Sequence, residues 1–322
     1  MPSNLLTRFT SPLGFSHPPN FFLFIIFAGA LLGFTLARLP FLSFSYFCPQ
    51  TLDCYNYTPK SPDKTGIILH LATILPASLL VVIQFIPRIR KGELIFFHRI
   101  NGYIILMLCM VSAVGVGLLA PNVMGGDLVS QMAMGVLGVC FVWSLGLAWW
   151  NIRRKQIEEH RAWMLRGWFY AGSIVSMRLI MMILIRIMGS NRTVIMPCAK
   201  IAYYFGGSQK ATLAQYPECA TYFSGEDTHK ALGIRADFYG EMMNSMAAWT
   251  LSFGPALWLA FIMHAIGVEI YLHLTLAEAN RLRNVSYQLQ KEAGMKRPGR
   301  MGLTADRLGY AERWVTEAPP GR

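Results

Sequence analysis

The chain predicts an all-α, polytopic membrane bundle with about six transmembrane helices. Three observations predict it: six long apolar runs, loops whose Lys/Arg content alternates, and loop cysteines that fall on one side only. The runs are Phe21–Ala37, Gly66–Pro87, Ile100–Ala120, Met132–Trp150, Ala162–Met188 and Ala247–Leu274. Each is near the ~20 apolar residues a helix needs to cross ~30 Å of hydrocarbon.

The loops set the expected topology. Arg88, Arg90, Lys91 and Arg99 crowd the second loop, and Arg153, Arg154, Lys155 and Arg161 crowd the fourth. Between them, Pro121–Gln131 carries no Lys or Arg. Short basic loops stay cytoplasmic, so both termini are expected inside. The tail from Ala277, with Arg281, Arg283, Lys291, Lys296, Arg297 and Arg300, agrees. The net charge of +12 therefore needs no nucleic acid; it sits where anionic inner-leaflet lipid attracts it. The partners expected are the bilayer and a hydrophobic small molecule.

The first run is read as an uncleaved span. Its approach holds only Arg8 and His17 as basic residues, with Pro18-Pro19 before the apolar stretch, and Arg38-Leu39-Pro40 offers no small-residue cleavage site. The chain thus divides into an N-terminal cytosolic segment (1–20), the bundle (21–274) and a basic, partly disordered tail (275–322). Within the bundle, segment 189–236 is too long for a bare link and is expected to form an outer cap.

Cys48 and Cys54 share the first outer loop, and Cys198 and Cys219 the third, while Cys109 and Cys140 lie within spans. Four loop cysteines facing an oxidising compartment suit one or two disulfides, within or across loops. Asn56-Tyr57-Thr58 and Asn191-Arg192-Thr193 are acceptor sequons on the same side, making Asn56 and Asn191 glycosylation candidates. The expected location is the endoplasmic reticulum, another endomembrane or the plasma membrane.

Within the spans, Pro76 and Pro255 predict kinks, the sharper at Gly254-Pro255. Ala113 with Gly117, and Gly135 with Gly138, predict close helix approaches. Polar residues in lipid are costly and so are the better pointers to function. His70, Thr73, Ala77 and Gln84 share one face of the second span at 3.6 residues per turn. Asp237, Glu241, Asn244, Ala248 and Ser252 are expected to share a face of the sixth. Arg178 in the fifth needs an anion, and Asp237 or Glu241 is the expected partner.

His98 and His160 each begin a span and each precede an arginine, a pattern that could present two axial ligands to one haem b. Interfacial anchoring explains them as well. The sequence carries no phosphate-binding lysine loop, no dinucleotide-binding glycine motif and no zinc helix; no metal is expected.

Gln84-Phe85, His98-Arg99-Ile100-Asn101-Gly102, His160-Arg161-Ala162-Trp163-Met164-Leu165-Arg166 and Met177-Arg178-Leu179 together resemble the uncharacterised membrane-protein family termed domain of unknown function 2306. The resemblance spans about Gly66–Leu184. It implies an all-helical membrane fold, marks His70, Gln84, His98, His160, Arg166 and Arg178 as motif positions, and implies no settled reaction.

The leading functional expectation is an integral membrane enzyme without cofactor, acting on a lipid-soluble prenylated or terpenoid substrate. A water-excluding helical chamber could keep a carboxylic acid protonated and so start a cyclase-type ring closure, as in secondary metabolism. Asp237 and Glu241 are the candidate acids and Arg178 the group that orients them. A haem b oxidoreductase using His98 and His160 is the first alternative; a transporter or structural bundle is the second.

Overall fold

The computed structural model describes residues 12–15, 17–59, 61–187, 192–299, 309 and 314–316. The apolar runs fold into helices α1 (Pro18–Arg38), α2 (Pro62–Gln84), α3 (Ile95–Leu119), α4 (Leu128–Arg153) and α5 (Ile157–Ile187). A hairpin of β1 (Thr193–Pro197) and β2 (Ala231–Arg235) then brackets three short helices: α6 (Cys198–Tyr204), α7 (Gln209–Gln215) and α8 (Ala220–Ser224). The last long helix is α9 (Met242–Leu274), followed by α10 (Leu276–Glu292). Helices α1 to α5 and α9 are each long and apolar enough to cross a membrane. Large apolar side chains left open on them, such as Ile26, Met107, Val139, Leu179 and Met263, form the surface that lipid would cover.

The helices begin several residues ahead of the apolar runs, and two of these starts bear on the candidate residues. Helix α5 starts at Ile157 rather than near Ala162, because Glu158 and Glu159 favour the positive end of a helix as a first turn. Helix α9 starts at Met242, so Asp237 and Glu241 precede it and do not share a helical face with Asn244 and Ser252. A turn explains this: Asp237 Oδ1 accepts the Tyr239 amide at 3.0 Å, and the Gly240 amide donates back to the Asp237 carbonyl.

The chain forms two compact units, Met1–Val136 with Ile174–Ala260, and Leu137–Ser173 with Phe261–Arg322. The first is organised by the seam between α2 and α3. A Cβ added to Gly66 would lie 2.7 Å from the Gly115 carbonyl oxygen, and one added to Gly115 would lie 2.6 Å from that of Gly66. Backbone meets backbone there, which only glycine allows. Further along the seam His70 Nδ1 and Ser112 Oγ are 2.8 Å apart, Asn101 Nδ2 donates to the Leu80 carbonyl at 3.2 Å, and Gln84 Nε2 donates to the His98 carbonyl at 2.8 Å. Of the face expected to carry His70, Thr73, Ala77 and Gln84, His70 and Gln84 bond across this seam, whereas the Thr73 hydroxyl donates to the Leu69 carbonyl of its own helix at 2.6 Å. The close approaches lie elsewhere than expected: Gly117, Gly135 and Gly138 have open space where a side chain would go, whereas Gly115 and Gly254 do not. Helix α9 runs unbroken through Gly254-Pro255, where Gly254 instead lets the Ser130 amide approach within 2.9 Å of a built Cβ.

In the same unit the hairpin pairs antiparallel, Thr193 opposite Arg235 through Pro197 opposite Ala231. Met196 and Ile234 face inward with Cys198, Ile201 and Cys219 against Ile185, Met243, Met246 and Ala247. The disulfides form within loops, Cys48–Cys54 and Cys198–Cys219.

In the second unit α10 is fastened to the α4–α5 turn. Ser286 Oγ accepts the Ile157 amide at 2.8 Å and donates to Glu158, and Gln290 Nε2 donates to the Arg154 carbonyl at 3.1 Å. Lys155 occupies the left-handed region, φ 57°, which lets the chain reverse between the helices.

Replacing Gly115 with Ala puts a methyl 2.6 Å from the Gly66 carbonyl oxygen, so the seam must open. Overpacking of this kind costs about 1–3 kcal/mol. A clear fall in the thermal midpoint of Gly115→Ala is expected, with no comparable fall for Gly117→Ala; equal midpoints for the two variants would show that the seam is not tight.

Candidate functional site

The most polar buried cluster of the first unit sits where α2 begins and α3 ends. Ser61 caps α2, accepting the Asp63 amide at 3.1 Å and donating to Asp63 Oδ2 at 2.7 Å. Both Asp63 oxygens accept from Asn122 Nδ2, at 3.1 and 3.2 Å, tying the two helix ends together. Beyond Asn122 the chain turns through Met124 (φ 49°), Gly125 (φ 83°) and Gly126 (φ 79°). The left-handed run points the Met124 amide inward, where it donates to Asp53 Oδ2 at 3.1 Å. A non-glycine residue held at positive φ costs of order 1–3 kcal/mol and persists only where its surroundings enforce it.

Asp53 is 6% exposed, and its second oxygen, Oδ1, is buried and completes no hydrogen bond. Facing it from α6 is Lys200, 4% exposed, whose ammonium reaches within 3.9 Å of a Cβ built on Gly125. Lys200 is positioned by its neighbours. Tyr204 Oη donates to the Leu52 carbonyl at 2.8 Å, Tyr203 Oη to Cys54 Sγ at 3.2 Å, and Cys198 anchors the helix through its disulfide. The two charges act on one another but do not close an ion pair: among the described residues the ion pairs are Arg166–Glu269 and Arg281–Glu278. Burial raises the Asp53 carboxyl above its ordinary range, with a smaller push from the Asp63 charge, opposed by the charge of Lys200, the Met124 amide and the nearby Gly125 amide, whose approach falls short of a full hydrogen bond to Oδ1. Burial likewise lowers the Lys200 ammonium, opposed by Asp53. Tyr57 and Tyr204 are also pushed up, chiefly by burial and then by Asp53. A carboxyl and an amine drawn toward neutrality from opposite sides can exchange a proton at little cost.

The residues expected to form a site are not gathered in this way. Among the described residues Arg178 forms no ion pair with Asp237 or Glu241. Glu241 is exposed and Asp237 half-buried, each in the turn before α9. The Asn56 amide donates to the Asn122 carbonyl at 3.2 Å, so the first glycosylation candidate serves the loop cluster. Asn191 lies outside the described residues, as does much of the tail. His98 gives its carbonyl to Gln84, and His160 Nδ1 lies 2.9 Å from the Ala148 carbonyl. Among the described residues no three or more His, Cys, Asp or Glu side chains are grouped to hold a metal ion.

The second unit holds a cleft of about 300 Å³, lined in part by Glu158, Glu159, Arg161, Arg166, Glu269 and His273. Arg166 forks onto Glu269 with bonds of 2.6 and 2.9 Å and lies 4.6 Å from the Trp163 ring centroid. Arg161 donates to Thr275 Oγ1 at 3.3 Å and lies over the Tyr271 ring. Charged fork pairing and ring stacking of this kind fix side-chain geometry. The His-Arg-x-Trp-Met-x-Arg element is therefore a junction joining α5 to the ends of α4 and α9.

Six apolar spans, a disulfide-bonded loop segment and buried polar helix ends define a polytopic helical membrane protein. Residues 67–205 match the family described as a predicted membrane protein, domain of unknown function 2306 (DUF2306). No curated protein and no solved structure matches the chain.

Sequence reasoning missed Asp53 and Lys200. The signal was available in the cysteines: Asp53 immediately precedes Cys54, and Lys200 follows Cys198 by two positions, so both sit on cross-linked turns.

The raised Asp53 carboxyl makes a pH prediction with a definite sign. Between its ordinary value of 3.8 and its higher folded value, the folded state keeps a proton that the unfolded chain has lost. Stability from this group is thus present below that window and declines as pH rises through it. Asparagine keeps the acceptor for Met124 and has no proton to lose. The thermal midpoint of Asp53→Asn, relative to the parent, should rise from about pH 4 upward; a difference independent of pH would refute the raised carboxyl.

Proposed function

We propose that this polytopic membrane protein is an enzyme that transfers a proton to a lipid-soluble, prenylated substrate, with Asp53 as the acid and Lys200 as its partner. The observation that carries this is the buried Asp53 Oδ1, which completes no hydrogen bond beside a buried ammonium that closes no ion pair with it. Packing alone is better served by a closed pair or by apolar side chains, since an unsatisfied buried carboxylate oxygen costs about 1–3 kcal/mol. The acid first sought at Asp237 or Glu241 has the environment it requires at Asp53 instead, in a setting that favours the neutral carboxyl.

The reaction class is a proton-initiated cyclisation. Asp53 gives its proton to a prenyl double bond or terminal epoxide, the resulting cation is attacked by an internal double bond, and loss of a proton from the product returns the acid to its starting state. Substrate and product are isomers, so no oxidant or cofactor enters the balance. Tyr57 and Tyr204, both held protonated by burial, offer ring faces near the acid that can stabilise positive charge.

The test uses membranes containing the full chain, incubated with a farnesyl aryl ether bearing a terminal epoxide. A cyclic isomer of unchanged mass is expected, carrying one solvent deuterium when a terminal alkene is used in heavy water. Asp53→Asn should reduce its formation by at least about 10²-fold, the contribution typical of general acid catalysis, while the protein stays inserted and its disulfides intact. Full turnover by Asp53→Asn, or no isomer from the parent chain, refutes the reading.

A further inference from the structure

The charged cleft of the second unit is a separate feature, set where α5 begins and α9 finishes. Its volume, about 300 Å³, is at the lower bound of small-molecule pockets. Among the described residues three carboxylates and two guanidinium groups line it. One of each sign is already matched, Arg166 with Glu269 at 2.6 Å. Glu158 accepts a hydrogen bond from Ser286. Arg161 reaches neutral groups: Thr275 Oγ1 at 3.3 Å, Tyr271 Oη at 3.5 Å and the face of the Tyr271 ring. Glu159 and Arg161 carry opposite charges, yet neither closes an ion pair among the described residues. They stand two positions apart on α5, and side chains at that spacing do not face each other. The cleft therefore presents a carboxylate and a guanidinium that cannot neutralise one another but that one ligand carrying both signs can bridge.

We propose that this cleft binds the head of a zwitterionic phospholipid, its primary ammonium toward Glu159 and its phosphate toward Arg161, with ethanolamine as the amine. A primary ammonium brings three donors to a carboxylate, and the planar fork of arginine matches phosphate oxygens. A purely anionic head would meet three carboxylates, and a purely cationic one two guanidinium groups. The place of the cleft favours a head carried on a lipid. It lies at the ends of two spans, at headgroup level, and Leu272 and Leu276 line it beside the exposed Leu274. Free phosphoethanolamine carries the same two charges, so the experiment separates the sources. The inference is independent of the acid assigned to Asp53.

The test measures the thermal midpoint of the full-length protein in non-ionic detergent, with a short-chain phosphatidylethanolamine, the phosphatidylglycerol of the same chains, or phosphoethanolamine added. The ethanolamine lipid should raise the midpoint saturably, with an apparent affinity about tenfold above that of the glycerol lipid, as one charge-assisted contact implies. Glu159→Gln should remove that preference and leave the two lipids equal, which loss of a merely structural carboxylate would not do. Arg161→Gln should weaken both lipids about tenfold, as loss of a charged fork does. Arg161→Lys, which keeps the charge without the fork, should fall between, and it serves as the probe if Arg161→Gln fails to fold. An equal response to phosphoethanolamine supports the head site and assigns its ligand to the aqueous phase. No response to either ethanolamine compound, equal affinity of the parent chain for the two lipids, or a preference that survives Glu159→Gln overturns the proposal. Asp53→Asn should retain the ethanolamine response, so lost turnover with retained binding separates the two sites.

Discussion

The contact of Gly66 with Gly115 is the constraint on which the described end of the first unit depends. Because backbone touches backbone there, the start of α2 and the end of α3 are fixed in both distance and rotation. That register brings Asp63 under Asn122, and Asn122 in turn sets the left-handed turn that presents the Met124 amide. The amide then meets Asp53, contributed by a different loop. A helix pair held by larger side chains would sit farther apart, and this sequence of polar contacts would not close. Low-cost glycines thus support a costly buried carboxyl three contacts away.

Much of the architecture was legible in the sequence because hydrocarbon imposes a simple rule. A segment that must satisfy every backbone group internally and present apolar side chains to lipid reads as a run of fixed length, and the six runs became six helices. The polar face of α2 was legible in part, since His70 and Gln84 fall at helical spacing and both meet α3. The glycines were less so: spacing rules select Gly117 and Gly138, but which glycine touches a neighbour depends on helix rotation, which one-dimensional spacing does not contain. The site was least legible. Asp237 and Glu241 were placed on a helical face by extending a period past the point where an Asp-led turn stops it. Asp53 comes from a loop and Lys200 from a seven-residue helix, both too short to show a period, and the disulfides beside them fix their position.

The family motif reads differently once its contacts are known. Gly102 follows His98 at a spacing that leaves room for the Gln84 amide, 3.1 Å from where a Cβ would be. His160, Arg161 and Arg166 each fasten one helix end to another, and Trp163 stacks against Arg166 within α5. The family match over residues 67–205 runs from α2 to α6 and leaves out α1, α9 and α10; it includes Lys200 but not Asp53. The half of the acid pair on the first loop lies outside the shared region.

The separation of Asp53 from Lys200 along the chain has a consequence for synthesis. The carboxyl emerges early, in a loop whose own bridge needs only six residues to close. Its amine arrives about 150 residues later, after α2 to α5 have been inserted, and is fixed by a second bridge. During that interval the first loop can close its own bridge but lacks its counter-charge. The order of translation therefore makes the carboxyl long before its counter-charge, and a nascent chain inserted as far as α5 carries Asp53 with neither Lys200 nor the sixth span.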